Sequence, residues 1–406
     1  MTKNEHPRLD SRRFKANPYP DYARLRTAAP VYRTRVAFWL PAIWIVTRYD
    51  DVVSILKDPR FSKDYIGAYP WIPHSMRAMF RNLLSIDPPD HTRLRSLVQK
   101  AFTPRLIEGL RGRIQGICDD LLGRAGNDET IELIEAYALP VPLTIISDLL
   151  GVPLEDRRRF GPWTKKVAAA GASASVVDFM RALPSLTRLS RYIRELVTQR
   201  RASPQDDLIT ALVRAEESGD RLTEDEIVSM VVLLLLAGHE TTVHLIASGA
   251  LTLMQYPGQG VRMQETPKLR ASAIDEILRY ASPVEFATPR ITLEDVTIGS
   301  VTIPRGELVA VSLGSANHDE SQFPDPETFD IAREPNRHVA FGMGSHFCLG
   351  AALARLEGEI ALTTLFGRFP GLHLAGPPDS LRWRKSLALP GLEKLPVKTG
   401  ALRQKL

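Results

Sequence analysis

The sequence predicts a mainly α protein with small β-sheets, an α+β arrangement in which helices dominate and strands gather towards the two ends of the chain. Three observations carry this reading. Between Pro104 and Met254 the chain is helical in character, with Ile114, Ile117, Cys118, Leu121 and Leu122 forming an apolar stripe at helical spacing. A capping box, Thr223-x-x-Glu226, stands before the longest apolar run, residues 227–238. Strand-like segments with tight turns lie before and after this region. No internal repeat or low-complexity segment occurs, and no clean linker divides the chain. The 406 residues are therefore read as one unit, 1–406, although length alone suggests two or three domains.

Taken in order, residues 31–36 and 42–47 read as strands, and residues 50–57 as a short helix with its cap at Tyr49-Asp50. Residues 61–85, rich in Tyr, Trp, Pro and Met, form an irregular binding loop. Asp87-Pro88-Pro89 opens a helix that ends near Thr103-Pro104. From its cap at Thr223 the apolar helix is expected to reach Gln255, before Tyr256-Pro257. About 33 residues span ~50 Å, so this helix must cross the whole molecule. Residues 268–280 form a further helix. Val296-Thr297-Ile298 and Val301-Thr302-Ile303 flank Gly299-Ser300 as a two-residue hairpin. Residues 307–313 resume a strand, residues 323–333 make a proline-bearing meander, and residues 341–350 lead into a helix ending near Phe366. Short strands finish the chain.

Composition narrows the function. With 44% hydrophobic and 24% charged residues the chain can bury a large core, and with it a large cofactor. The net charge of +5 is not clustered into a basic stripe, which argues against nucleic-acid binding. A diffuse positive field suits a weakly bound acidic protein instead. Two cysteines, Cys118 and Cys348, are too few for a disulfide framework, which points to the cytoplasm. The run 227–238 is too short to span a bilayer and the first residues are charged, so no membrane association is expected.

Phe341-Gly342-Met343-Gly344-Ser345-His346-Phe347-Cys348-Leu349-Gly350 is the most informative segment. Its glycines allow sharp bends and the close approach of a flat ligand. Cys348 lies at or just before a helix start, where free N–H groups and the positive helix end stabilise a thiolate. Cys118 sits in an apolar helical stripe and reads as an inert core residue; Cys348 does not.

This loop matches Phe-Gly-x-Gly-x-His-x-Cys-x-Gly, and the chain resembles the cytochrome P450 superfamily, weakly its polyketide- and macrolide-tailoring bacterial branch. The resemblance implies a P450 fold with the long central helix over a haem b (iron protoporphyrin IX) ligated by Cys348, with Phe341, Gly342, His346 and Gly350 around it. On the long helix, Ala237-Gly238-His239-Glu240-Thr241-Thr242 resembles the family's oxygen-activation motif. Gly238 there costs about 1 kcal/mol against alanine but removes bulk, and Thr241 can bond a preceding carbonyl and open the helix locally. Glu240 and Thr241 are thus expected to relay protons, with Ala237 and Gly238 beside the cofactor and His239 structural. His91 and Arg95, four apart on one helix face, resemble the family's propionate-binding pair, joined by Arg290 and His346. Glu276 and Arg279 resemble its Glu-x-x-Arg, with Arg333 as third member. His318 and Glu320 depart from the family pattern, where arginine and proline are common.

The expected activity is oxidation of an apolar small molecule, by hydroxylation or epoxidation, using O2 and two electrons from a ferredoxin or flavoprotein. The substrate is a polyketide, macrolide, steroid or fatty acid, and the protein a monomer. Arg93, Lys100, Arg337 and Arg355 are candidate docking charges. The pocket is expected from residues 61–80, 233–237, 284–288 and 387–389, with Trp71, Phe80 and Phe286 as bulky walls. Glu285 could meet a cationic substrate group, although a structural hydrogen bond is the stronger reading. A zinc site would need ligands beyond Cys348 and His346, a cysteine hydrolase would need a base facing Cys348, and a haem sensor or carrier would have no use for Glu240-Thr241.

Overall fold

The computed structural model describes residues 7–35, 41–65, 82–125, 129–153, 155–156, 161–164, 166–167, 176–217, 222–386 and 388–400. Most of the expected binding loop, with Trp71 and Phe80, lies outside the described residues, as does Leu387.

The long helix forms as its cap dictates. Thr223 Oγ1 accepts the Glu226 N–H at 3.2 Å, and the Glu226 carboxylate accepts the Thr223 N–H at 2.8 Å. The helix then runs unbroken through Glu224–Gln255, 32 residues or about 48 Å. It is apolar and long enough to cross a membrane by length and composition alone, but 61% of its most apolar window is buried inside the protein. It packs against helices Pro140–Leu149, Val176–Ala202, Arg270–Tyr280 and Ala351–Arg368. Two glycines permit the last of these contacts. A Cβ on Gly249 would lie 2.8 Å from Leu362 Cδ1, and one on Gly358 would lie 2.9 Å from Leu245 Cδ2.

A five-stranded sheet runs Val31–Thr34, Ile43–Val46, Leu308–Val311, Arg290–Thr292, Phe61–Ser62 in spatial order. Only the pairing of Ile43–Val46 with Leu308–Val311 is parallel. The predicted hairpin forms with Gly299 at φ +58°, the left-handed conformation its turn requires.

Several boundaries differ from expectation for tertiary reasons. Helix Tyr49–Lys57 has no side-chain cap of its own; the Tyr49 N–H donates to Asp319 Oδ2 at 2.8 Å, a cap from far along the chain. Thr130–Glu132, inside the stretch read as helical, is a strand because Pro396–Lys398 pairs with it. The expected strand 307–313 stops at Val311, where Ser312 Oγ accepts the Ser315 N–H at 3.1 Å and caps the short helix Leu313–Ala316.

The segment before the cysteine loop is fastened by one buried ion-pair network. Arg279 meets Glu276 through two 2.8 Å bonds, and Arg333 Nε reaches Glu276 Oε1 at 3.2 Å. The remaining Arg279 donors bind the carbonyls of Asn317, Pro326 and Thr328. Asn317 Oδ1 in turn accepts the Val339 N–H at 2.7 Å, just ahead of Phe341. The two unusual residues fit into this frame. His318 stacks on Tyr19 with ring centroids 3.9 Å apart and contacts the Tyr280 carbonyl at 2.9 Å; Glu320 accepts from Arg26 at 2.8 Å.

Candidate active site

The cysteine loop closes on itself. The Gly342 N–H donates to Val339 O at 2.8 Å, and the Cys348 N–H to Phe341 O at 2.9 Å. Gly342 and Gly344 have φ of +68° and +72°, and a Cβ on Gly344 would stand 2.7 Å from Leu56 O, so glycine is required there twice over. Nothing lies within 4 Å of a Cβ built on Gly350. Helix Ala351–Arg368 begins three residues after Cys348, with Gly350 at its cap position. Cys348 is a free, solvent-exposed cysteine. Burial pushes its thiol pKa up, opposed by a hydrogen bond from the Gly350 N–H and by the charges of Arg95 and Arg355. Phe341 packs beneath the Arg355 guanidinium, 4.6 Å from its ring centroid.

Around this loop the structure gathers cations. Arg95 Nη2 donates to Phe347 O at 2.7 Å, and the His91 and His346 rings lie 4.1 Å apart. Arg290 is buried, with one long contact to Thr288 O at 3.5 Å. The sequence reading overlooked Lys63, which is buried in the same cluster and bonded to the Thr288 hydroxyl and carbonyl. Its position after strand Phe61–Ser62 gave no helical or motif signal. Mutual repulsion adds to burial here. His346 is brought down to about 3 by burial and by the charges of His91, Lys63, Arg290 and Arg95. Arg290 falls to about 10 through burial, opposed by Asp87. His91 Nε2 is buried and has no hydrogen-bond partner among the described residues.

An orphaned imidazole nitrogen amid desolvated cations is costly unless an anion answers it. The donor set therefore fits a cofactor that carries carboxylates and offers iron to a thiolate. It does not fit zinc, since among the described residues no group of three or more His, Cys, Asp or Glu is arranged to hold a metal.

On the long helix, Leu233, Leu234, Leu236, Ala237, Gly238, Glu240 and Thr241 keep solvent exposure, whereas positions 227–228, 230–232 and 242–253 are buried. Thr241 Oγ1 donates to Ala237 O at 2.9 Å, and Thr242 Oγ1 to Gly238 O at 3.2 Å. The expected local opening of the helix is absent, because these back-bonds sit on an intact ladder. A Cβ on Gly238 would lie 3.3 Å from Ile146 Cδ1, so the glycine also serves the packing against helix Pro140–Leu149. His239 is structural as expected, with Nδ1 2.6 Å from Leu235 O.

Glu240 is bound to Arg384, with His244 Nε2 at 3.5 Å and His239 Nε2 at 3.9 Å. Burial would raise its pKa; the His244 interaction and the charges of His244, Arg384 and His239 outweigh burial and set it at about 2. The i, i+4 spacing of Glu240 and His244 was readable in the sequence; the arrival of Arg384 was not.

Glu285 is buried against Lys15 and Tyr22, in the structural role that was the stronger reading of the sequence. Of the four candidate docking charges, Arg93 pairs with Glu226 and Arg355 with Asp275 at 2.7 Å, while Lys100 and Arg337 are exposed. Phe286 is buried and pairs with Ser312 in a β-bridge, which makes it part of the frame.

With this geometry in view, the comparisons with known proteins are decisive. The Cytochrome P450 family profile matches residues 26–269 and 259–395. The chain is 47% identical over 407 residues to Cytochrome P450 107B1 of Saccharopolyspora erythraea, covering 96% of each. The structure of the Bacillus subtilis bacillaene polyketide synthase cytochrome P450 PksS is 41% identical, with a TM-score of 0.91 and 97% and 99% coverage of this chain and that one. The myxobacterial cytochrome P450 CYP267B1, solved with myristic acid, is 44% identical at the same TM-score and coverage.

The chain belongs to the cytochrome P450 family. It is a haem-thiolate monooxygenase, which uses O2 and two externally supplied electrons to oxidise an organic substrate, and the reading as a mere haem carrier is set aside.

Proposed function

We propose that Cys348 would ligate a haem b through its thiolate, and that His91, Arg95, Arg290 and His346 would hold the carboxylates of that group, with Lys63 as a further cation. The observation that carries this is the convergence of those side chains on one self-closed cysteine loop, with a buried His91 nitrogen awaiting an acceptor. When bound, the haem supplies the redox chemistry of oxygen activation, and electron push from thiolate is a general property of that ligand class. The residues of this chain do the rest. The Gly350 N–H and the charge of Arg95 steady the sulfur. Phe341 and Gly342 shape the floor, and Ala237 and Gly238 lie on the facing helix. Glu240 and Thr241 supply protons, since RH + O2 + two electrons + two protons gives ROH + H2O.

The substrate is an apolar small molecule, of the polyketide, macrolide, steroid or fatty-acid kind. The apolar stripe Leu233–Leu236 supports this, as do relatives named for polyketide biosynthesis and one bound to myristic acid. Hydroxylation is the favoured outcome. A small acidic ferredoxin or a flavoprotein donates the electrons. The protein acts as a cytoplasmic monomer of one domain, 1–406, bound neither to nucleic acid nor to membrane.

The direct test is the ferrous carbon monoxide complex, expected to show the red-shifted Soret band of thiolate ligation. Cys348→Ser should abolish that band and product formation together. Persistence of both in the variant would end the assignment. Soret shifts on adding long-chain acids, steroids or macrolactones then sort the substrate classes.

A further inference from the structure

The C-terminal hairpin, closed by the bridge between Trp383 and Leu392, touches the long helix at the acid itself. Arg384 Nη1 and His244 Nε2 both meet Oε1 of Glu240, the latter at 3.5 Å, and His239 Nε2 stands 3.9 Å from Oε2. His244 is buried, and its Nε2 has no hydrogen-bond partner among the described residues. Its ring occupies space that only a glycine leaves. A Cβ on Gly391 would lie 1.9 Å from Cε1 and 2.2 Å from Nδ1 of His244. Gly391 does not have a positive φ, so room for the imidazole is what demands it. The Arg384 N–H donates to Gly391 O at 2.8 Å, so one turn of backbone presents both the guanidinium and the gap. The hairpin is also tied to the frame, because Ala388 O accepts the Glu285 N–H at 2.8 Å.

We propose that Arg384, His244 and Gly391 are positioning residues for the oxidation: they hold the Glu240 carboxylate charged and drawn towards the hairpin, so that proton supply to Thr241 is governed by the C-terminal hairpin. This rests on the reading of Glu240 as the acid. Among the described residues, the charged and titratable groups facing Glu240 are His239 and His244 on its own helix and Arg384 from the hairpin. His239 offers little as a donor, since its Nδ1 is engaged by Leu235 O and burial keeps its pKa low. Arg384 is the member in touch with water, its side chain 36% exposed against 14% for Glu240. Movement of its guanidinium is therefore the step that frees Glu240 to take a proton from solvent and turn to Thr241, whose hydroxyl hydrogen is otherwise spent on Ala237 O.

Two measurements test this on the holoenzyme: the fraction of electrons recovered in product instead of peroxide between pH 5 and 9, and the infrared carboxylate band of Glu240, assigned by its loss in Glu240→Gln. Arg384→Gln should move the titration of that band upwards by about one pH unit or more and shift the pH profile of coupling. Product yield per electron should fall roughly tenfold, a part of what losing an acid–base group entirely costs. Arg384→Lys should restore most of the yield. Gly391→Ala should reproduce the defect by displacing the imidazole, and should add nothing in a His244→Ala background. If Arg384→Gln leaves both the band and the pH profile as in the wild type, the positioning role is overturned. The same holds if Gly391→Ala is as harmful without the imidazole as with it. Should Gly391→Ala fail to fold, the Arg384→Gln and Arg384→Lys pair decides alone, because that side chain is partly exposed. Full coupling in Glu240→Gln would instead overturn the acid assignment, a distinguishable failure.

Discussion

The cysteine-loop side and the long-helix side of this protein are held in opposite ways. On the loop side the central ion pair is fully engaged: Glu276 binds Arg279, Arg333, Asn336 and the Asp330 N–H, and Arg279 spends its remaining donors on backbone carbonyls. On the helix side Glu240 is gripped by Arg384 from 144 residues away, and His244 Nε2 stays unsatisfied. One side is built to stay still under a fixed ligand. The other, on the proposal above, keeps Glu240 charged and free to move.

The largest effect should come from breaking the still side. Arg279→Ala strips Glu276 of its two-bond partner, leaving Arg333 and Asn336, and frees the carbonyls of Asn317 and Pro326; removing one partner of such a buried pair costs about 3–5 kcal/mol. Urea unfolding should show a loss of that size together with weakened haem retention. A cost below about 1 kcal/mol would mean the meander is held by packing alone.

The two buried acids sharpen the contrast because their shifts have opposite sign. Glu357, on the helix after the cysteine loop, is raised from 4.5 to about 8 by burial, and its Oε2 has no partner among the described residues. The folded state keeps that proton where the unfolded state loses it, so stability falls as pH rises from about 4.5 to about 8. Glu357→Gln should therefore stabilise the protein by on the order of 3 kcal/mol at pH 7, with the gain vanishing below pH 4.5. Glu240 is lowered from 4.5 to about 2, so its contribution is present above pH 4.5 and lost as pH falls towards about 2. Discounted for its partial exposure, that contribution is about 2 kcal/mol. Stability measured against pH for both glutamine variants checks the two signs at once. Parallel curves would show that the two carboxylates do not differ.

What the sequence made legible follows the same division. Cys348, the loop glycines, Glu276-x-x-Arg279 and the Thr223 cap lie within single elements, where spacing alone brings the groups together. The hairpin at Gly299 and the span of the long helix were readable for the same reason. Lys63, Arg384, the Asp319 cap on Tyr49 and the strand at Thr130–Glu132 depend on partners far along the chain. Local pattern carries no trace of them. Gly238 shows a further kind of hidden contact: its neighbour Ile146 comes from another helix, which spacing within the motif does not reveal.

The smallest effect tests whether support and control are separable along the long helix. Thr223 caps it, and Glu226, the other half of the box, is also held by Arg93. Thr223→Ala removes one acceptor for an N–H at the helix start, while the Glu226 contacts and the packed faces remain. A lost cap of this kind costs about 1 kcal/mol, read as a lower urea midpoint with an unchanged slope. Glu240 lies about four turns further on, roughly 21 Å along the axis, and its partners come from the hairpin and its own turn, so coupling of electrons to product should not change. A fall in coupling in this variant would show that the acid is set by the helix as a whole, and the distinction between a fixed frame and a hairpin-controlled acid would collapse.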